Sequence, residues 1–193
     1  MNELAEEVRN CRRCGLCGDR QNPVLGEGSL SATVMFIGEA PGRKEDETGR
    51  PFVGAAGRIL DRILEHISLG RGDVYIGNVV KCRPPNNRRP RSTEIEACAP
   101  HLETQLEIIE PSIIAPMGNS AISHLMKRFG LKTATIGKVH GKPFDVEAPW
   151  GRVVLFPVYH PAAAIYRRNL ERVLEEDFES LKRILNRVYG SRT

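Results

Sequence analysis

The chain has 193 residues, of which 40% are hydrophobic and 27% charged, with a formal net charge of +4. That size suits one globular domain over 1–193, with apolar material for a core and charge for a solvated surface. So small a net charge does not by itself mark a nucleic-acid binder, and no repeat, low-complexity tract or long linker is present. No apolar run is long enough to span a bilayer, and MNELAEEVRN lacks the pattern of a signal peptide. The expectation is a cytoplasmic protein, nucleoid-associated at most, with no membrane attachment.

CRRCGLC at 11–17 carries three of the five cysteines, and Cys82 and Cys98 lie far along the chain. An odd cysteine count in a chain of this kind argues against a disulfide framework and for thiolate ligation of a metal or cluster. Cys11/Cys14 and Cys14/Cys17 are equally good CxxC pairs, and spacing does not choose between them. TVMFIG (33–38) is a short apolar run ending at glycine, as a buried strand requires. In VGAAGRILDRILEHI, Ile59, Leu60, Ile63, Leu64 and Ile67 fall at helical spacing. VYIGNVV (74–80) is the next strand, stopped by Pro84 and Pro85. Ser92 or Thr93 caps the helix that follows, and Pro100 should kink or split it. SIIAPMG (112–118) predicts a third strand, and NSAISHLMKRFG a helix ending at glycine. Residues 133–149 are irregular or a hairpin, and RVVLFPVYHP (152–161) is the fourth strand. The last segment places Leu170, Leu174, Leu181, Ile184, Leu185 and Val188 on one helical stripe.

Alternating strands and helices call for a three-layer α/β/α sandwich around a central, mostly four-stranded parallel sheet. In such sheets function gathers at the carboxyl ends of the strands. Those ends read GEAPGRKED, NVVKCRPP, MGNS and YHPAA. GEAPG is neither GxGxxG nor a P-loop, so the common nucleotide folds lack support. Gly38 and Gly42 permit a tight turn around Glu39, and Glu45 and Asp46 follow. A carboxylate there can act as a general base or stabilise a cation, or simply be solvated. His160 can donate to a developing anion, or satisfy loop backbone. Phe52 is a core ring or a stacking platform for a flat ligand. Asn78, among valines, either satisfies backbone or reads a ligand that offers both a donor and an acceptor. RPPNNRRPR gathers Arg83, Arg88, Arg89 and Arg91 without a carboxylate, as a phosphate-binding loop or a merely solvated one would.

Taken together, VLGEG (24–28), GEAPGRKEDETGRPFVGAAG (38–57), NVVKCRPPNNRRP (78–90) and HPAA (160–163) resemble the family 4, iron–sulfur uracil-DNA glycosylases. The resemblance spans nearly the whole chain. It implies a monofunctional enzyme that flips uracil out of DNA and hydrolyses its N-glycosidic bond, leaving an abasic site. By the same resemblance Glu39 lies near the sugar and the attacking water, and His160 stabilises the departing uracil anion. Gly38, Ala40, Glu45, Phe52, Asn78 and His160 form the uracil pocket, with Phe52 stacking on the base and Asn78 reading its edge. The resemblance places a wedge at the duplex on Ala163, Ala164 and Ile165, and phosphate contacts on Arg83, Arg88, Arg89 and Arg91. It also implies a [4Fe-4S] cluster. Aligned on VLGEG, the family's second cysteine matches Cys14, which gives Cys11, Cys14, Cys82 and Cys98 as ligands and leaves Cys17 spare; four thiolates on zinc are the chemical alternative.

Other readings are a damage sensor with little turnover, a family 5 enzyme, whose first motif lacks the acid that Glu39 supplies, and a small-molecule enzyme on the same sheet. Covalent capture of DNA by a histidine in a KRRIH loop is not expected, because NNRRPRS holds no histidine. The partner is uracil-containing DNA, single- or double-stranded, and the expected state is a monomer. A sliding clamp is a conceivable partner, but the tail NRVYGSRT shows no clamp-binding pattern.

Overall fold

Val34–Gly38 is buried at every position, so its sequence shows no polar alternation, yet its two faces pack into different cores. Met35 and Ile37 turn to one helical layer, Val34 and Phe36 to the other. This is what a central parallel strand covered on both sides requires. The computed structural model describes residues 1–167 and 169–190. Their order is α1 (Asn2–Asn10), β1 (Glu27–Gly28), β2 (Val34–Gly38), α2 (Arg43–Thr48), α3 (Ala55–His66), β3 (Tyr75–Asn78) and α4 (Ser92–Ile109). Then come β4 (Ile113–Pro116), α5 (Asn119–Arg128), α6 (Ile136–Val139), β5 (Phe144–Ala148), β6 (Gly151–Leu155), α7 (Ala162–Tyr166) and α8 (Asn169–Gly190).

The sheet has six strands in the order β1-β3-β2-β4-β6-β5. The four inner strands are parallel, as expected, and an antiparallel strand closes each edge. One edge strand, β5, lies within the segment 133–149 read as irregular or a hairpin, and makes a hairpin with β6 beyond it; the other, β1, is only two residues long. One core joins the sheet to α4, α5 and α6 through Leu102, Leu106, Ile122, Leu125, Ile136 and Val139. The other joins it to α3 and α8 through Leu60, Ile63, Leu174, Phe178 and Leu181. Phe178 stacks flat on Phe36 with centroids 5.3 Å apart, tying α8 to the middle of the sheet. Among the described residues no helix is long and apolar enough to cross a membrane.

Two expectations about α4 are corrected. The helix is not split at Pro100: it continues to Ile109, with Pro100 and Glu96, whose carbonyl loses its partner, both on the exposed side. Its N-cap is Arg91 rather than Ser92 or Thr93, and Glu94 folds back to accept the Arg91 backbone N–H at 2.7 Å.

The strand order also fixes where a ligand can enter. From β2 the chain moves outward to β3, then returns to place β4 on the opposite side of β2. The connections therefore diverge between β2 and β4, leaving a crevice at their carboxyl ends.

Candidate functional site

That crevice opens into a cleft of about 550 Å³. Glu39 and Ala40 enter it from the end of β2, Asn78 from β3, Met117 and Gly118 from β4, and His160 from beyond β6. Glu45 and Phe52 line it from the loop after β2. The predicted pocket residues thus converge, although they come from the ends of three strands, β2, β3 and β6. Gly38 does so by what it lacks. A Cβ there would sit 2.7 Å from the Phe52 ring and collide with Asn78 Oδ1. Its missing side chain lets the ring and the amide meet over the strand end.

Asn78 is 1% exposed, and among the described residues its Oδ1 has no hydrogen-bond partner. A buried carbonyl oxygen left unpaired is costly, so its natural complement is a donor brought in by a ligand. Among the described residues no side-chain hydrogen bond ties the Glu39 carboxylate either, while its backbone carbonyl is fixed by the Val80 N–H at 3.1 Å.

Phe52 is held with its backbone in the left-handed region, at φ 50°. For a bulky residue this conformation survives only where the surroundings impose it. Gly57 makes room for the Phe52 carbonyl, which a Cβ would strike. Arg71 donates to the Pro51 carbonyl at 3.0 Å and to the Phe52 carbonyl, and pairs with Asp61 at 2.6 Å. On the other side Glu45 Oε1 accepts the N–H groups of Val53 and Gly54, each at 2.9 Å. Glu45 therefore anchors the loop that carries the ring, and this is its visible work beside lining the cleft.

His160 stacks near Phe52, centroids 5.5 Å apart at 29°. The Ala162 N–H donates to its Nδ1 at 3.2 Å, which puts the imidazole proton on Nε2. Burial pushes its pKa down to about 4, against a smaller upward pull from Glu45. The ring is therefore a neutral N–H donor near pH 7. Gly118, at φ 83°, clears space for it: a Cβ there would approach the His160 Cβ to 3.1 Å.

The predicted DNA-facing residues divide. Arg89 lines the cleft, and Arg83 Nε donates to Asn87 Oδ1 at 2.7 Å on its rim. Arg88 also reaches the cleft, but its guanidinium is clasped bidentately by Glu94, at 2.8 Å for the Nη1 bond, and this pair holds the Glu94 carboxyl down at about 2. Arg88 is thus a loop fastener, not a free phosphate ligand. Arg91 is the exposed N-cap of α4. In the wedge segment Ala164 is 5% exposed and packs into the core, so it cannot meet a duplex. Ala163 lines the cleft, Ile165 is half exposed, and Tyr166, not anticipated from the sequence, stands 85% exposed at the cleft edge. Gly118 had entered only as part of the strand end MGNS, and Arg71 was missed. A glycine directly after an apolar run was the signal for the first; nothing in the local sequence marks the second.

A separate void lies behind the cleft, on the α4 side. Cys11, Cys14, Cys17, Cys82 and Cys98 all line it, with Lys81, Arg20 and His101. Cys82 and Cys98 bracket the basic loop, and the amino-terminal cysteines close over them. Arg20 donates to Cys82 Sγ at 3.0 Å, the Lys81 backbone N–H to Cys98 Sγ at 3.3 Å, and His101 Nε2 lies 3.3 Å from Cys11 Sγ. Burial pushes the free Cys82 thiol up to about 11 and raises that of Cys98, so metal binding here must release protons. Among the described residues, no three His, Cys, Asp or Glu side chains are gathered closely enough to grip a single ion. The five cysteines instead line one space, with N–H donors from Arg20 and the Lys81 backbone on two of the sulfurs. That donor set fits an anionic thiolate group, and Cys17 borders the same space as the four predicted ligands.

Comparison with known proteins agrees with the cleft. The model of the uracil DNA glycosylase superfamily matches residues 25–186. A type-4 uracil-DNA glycosylase of Saccharolobus solfataricus is 48% identical over 197 residues, covering 97% of this chain and 91% of that protein. Type-4 uracil-DNA glycosylases of Sulfurisphaera tokodaii and Archaeoglobus fulgidus are each 45% identical, covering 95% and 94% of this chain and 84% and 91% of their own lengths. With a family match over most of its length and relatives this similar end to end, the chain belongs to the uracil DNA glycosylase superfamily.

Proposed function

We propose that this chain is a type-4 uracil-DNA glycosylase that removes uracil from DNA and leaves an abasic site. The observation that carries the reading is the unpaired Asn78 Oδ1, buried against the cleft. Uracil N3–H is the donor that this oxygen lacks, and uracil O4 is an acceptor for the amide nitrogen. Cytosine presents the reverse pair at the same edge, so it would leave both partners mismatched. To reach Asn78 the base must leave the helix stack and lie against the Phe52 ring.

Bond cleavage separates charge into an oxocarbenium-like sugar and a uracil anion. His160, neutral and protonated on Nε2, donates to the anion without having to lose a formal charge. The Glu39 carboxylate stabilises the cationic sugar and orients the water that adds at C1′; the departing base takes up a proton. Arg83, Arg89 and Arg91 supply phosphate contacts, and Ile165 and Tyr166 supply the exposed apolar edge next to the duplex.

Cys11, Cys14, Cys82 and Cys98 would hold a [4Fe-4S] cluster. A cluster spaces its thiolates more widely than one zinc ion bonded at about 2.3 Å to each sulfur, and among the described residues no three such side chains are gathered closely enough for a single ion. When bound, it supplies covalent ties between the amino-terminal segment, the end of β3 and α4. The protein acts as a monomer.

The test is base release from oligonucleotides that carry U, T or C at one position. Alkali-labile product from U alone is expected. Binding of the U strand without product would favour a sensor; neither product nor binding would overturn the reading.

A further inference from the structure

Lys81 is 1% exposed, yet it carries an amine. Its Nζ donates to the Asn78 carbonyl at 2.7 Å and to Gln105 Oε1. Gln105, itself fully buried, passes the chain on, donating Nε2 to the Tyr75 hydroxyl at 2.8 Å and to the Leu25 carbonyl at 2.9 Å. All these acceptors are neutral. An ammonium taken out of water is costly unless an opposite charge is returned to it. Lys81 lines the same void as the Cys82 and Cys98 thiols. Its own backbone N–H already donates to Cys98 Sγ. Toward the cleft, the residue whose carbonyl it grips is the one whose side chain faces the base. The two sites therefore share one side chain.

We infer that Lys81 is the internal counter-charge of the thiolate site and a positioning residue for Asn78, so that filling the thiol site steadies the amide that reads uracil. The inference rests on the base-reading role of Asn78 and the thiolate role of Cys82 and Cys98 proposed above. Outer partners of metal ligands commonly carry about 10–100-fold in metal affinity. A lost charge-assisted hydrogen bond at a recognition group costs about tenfold in binding.

The experiment compares wild type with Lys81→Met and Lys81→Gln, each purified without added iron. Three readouts are taken: iron and sulfide per chain and their loss rate in a mild chelator, calorimetric affinity for free uracil, and kcat and KM on a U oligonucleotide. Lys81→Met should lose iron at least about tenfold faster and bind uracil about tenfold more weakly, with KM rising more than kcat falls. Lys81→Gln restores a donor to the Asn78 carbonyl without charge, so it should recover uracil affinity more than iron retention. A merely structural lysine would not separate the two readouts in that way. Iron retention and uracil affinity both at wild-type values in Lys81→Met would overturn the inference. Iron loss with unchanged uracil affinity would overturn the coupling. If Lys81→Met does not fold, Lys81→Gln against wild type carries the same test: iron loss no faster than wild type overturns it. If wild type releases no uracil, the proposed activity fails, while iron retention still judges the role of Lys81.

Discussion

The cleft and the thiol void lie at opposite sides of the same strand end, and they treat polar atoms in opposite ways. In the cleft, polar atoms are left incomplete: Asn78 Oδ1 is buried and unpaired, and the Glu39 carboxylate is held only through its backbone. Around the void, polar partners are already built in on sulfur: Arg20 and the Lys81 backbone donate to it, and His101 Nε2 sits 3.3 Å from Cys11 Sγ. A site that must bind and release keeps its complement outside the protein. A site proposed to hold a permanent group has its complement built in. The comparison predicts that damage to the cleft costs rate and damage to the void costs stability.

The largest effect should come from His160→Ala. It removes the proposed donor to the leaving anion and should lower kcat by about 10²–10³. The imidazole makes one weak backbone contact, so the melting temperature should move by no more than a few degrees. Single-turnover base release beside thermal unfolding decides this. A large loss of stability with a small loss of rate would break the contrast between the two regions.

Cys82→Ser probes the other side. Cys82 is buried, bonded to Arg20, and a predicted ligand. Its loss should cost about 3–5 kcal/mol, or roughly 10 °C in a chain of this size. The rate per folded molecule should fall much less than in His160→Ala. Calorimetry with iron analysis checks it; an iron-loaded variant of unchanged stability would remove Cys82 from the ligand set.

How much of this contrast the sequence carried depends on what each residue does. The four parallel strands were legible because each is a short apolar run punctuated by glycine or proline, and Glu39, Asn78 and His160 were legible because they stand at the ends of those runs. The edge strand Glu27–Gly28 was not, since two residues carry no periodicity. Ala164 and Ile165 look alike in sequence, but the turn of α7 buries one and exposes the other. Arg88 looked like its neighbours until Glu94, six residues on, turned back across the loop to meet it. Arg71 had no signal at all, because its work is done on carbonyl groups 19 and 20 residues away.

That hidden clamp gives a smaller effect, one that sharpens the comparison inside the cleft. Phe52 holds a left-handed backbone worth about 1–3 kcal/mol of strain. Arg71→Met should let the loop relax, raising KM for the U oligonucleotide about tenfold with kcat less affected, and costing about 1–2 kcal/mol in stability. Arg71→Lys, which keeps charge but not the fork of donors, should recover only part of the KM change. Steady-state kinetics of the three proteins decide the matter; an unchanged KM in Arg71→Met would show that Glu45 and Gly57 hold the ring without it.

The smallest effect concerns pH, and it bears on what kind of donor the cleft offers. Burial holds the His160 pKa at about 4, below the ordinary value of 6.5. Between those values the unfolded chain binds the proton and the folded chain does not, so unfolding is favoured as pH falls. The contribution of this group to stability is full above pH 6.5 and is lost as pH drops towards 4. Rate should follow the same limit. The neutral Nε2–H donor persists through pH 5–6, so the acidic fall in kcat attributable to His160 should lie well below 6.5. Titration of the His160 imidazole nitrogens by NMR measures the midpoint directly. A midpoint at 6 or above would mean that the ring takes a proton readily beside Glu45, and the donor to the uracil anion would then be an imidazolium whose charge is spent in the transition state.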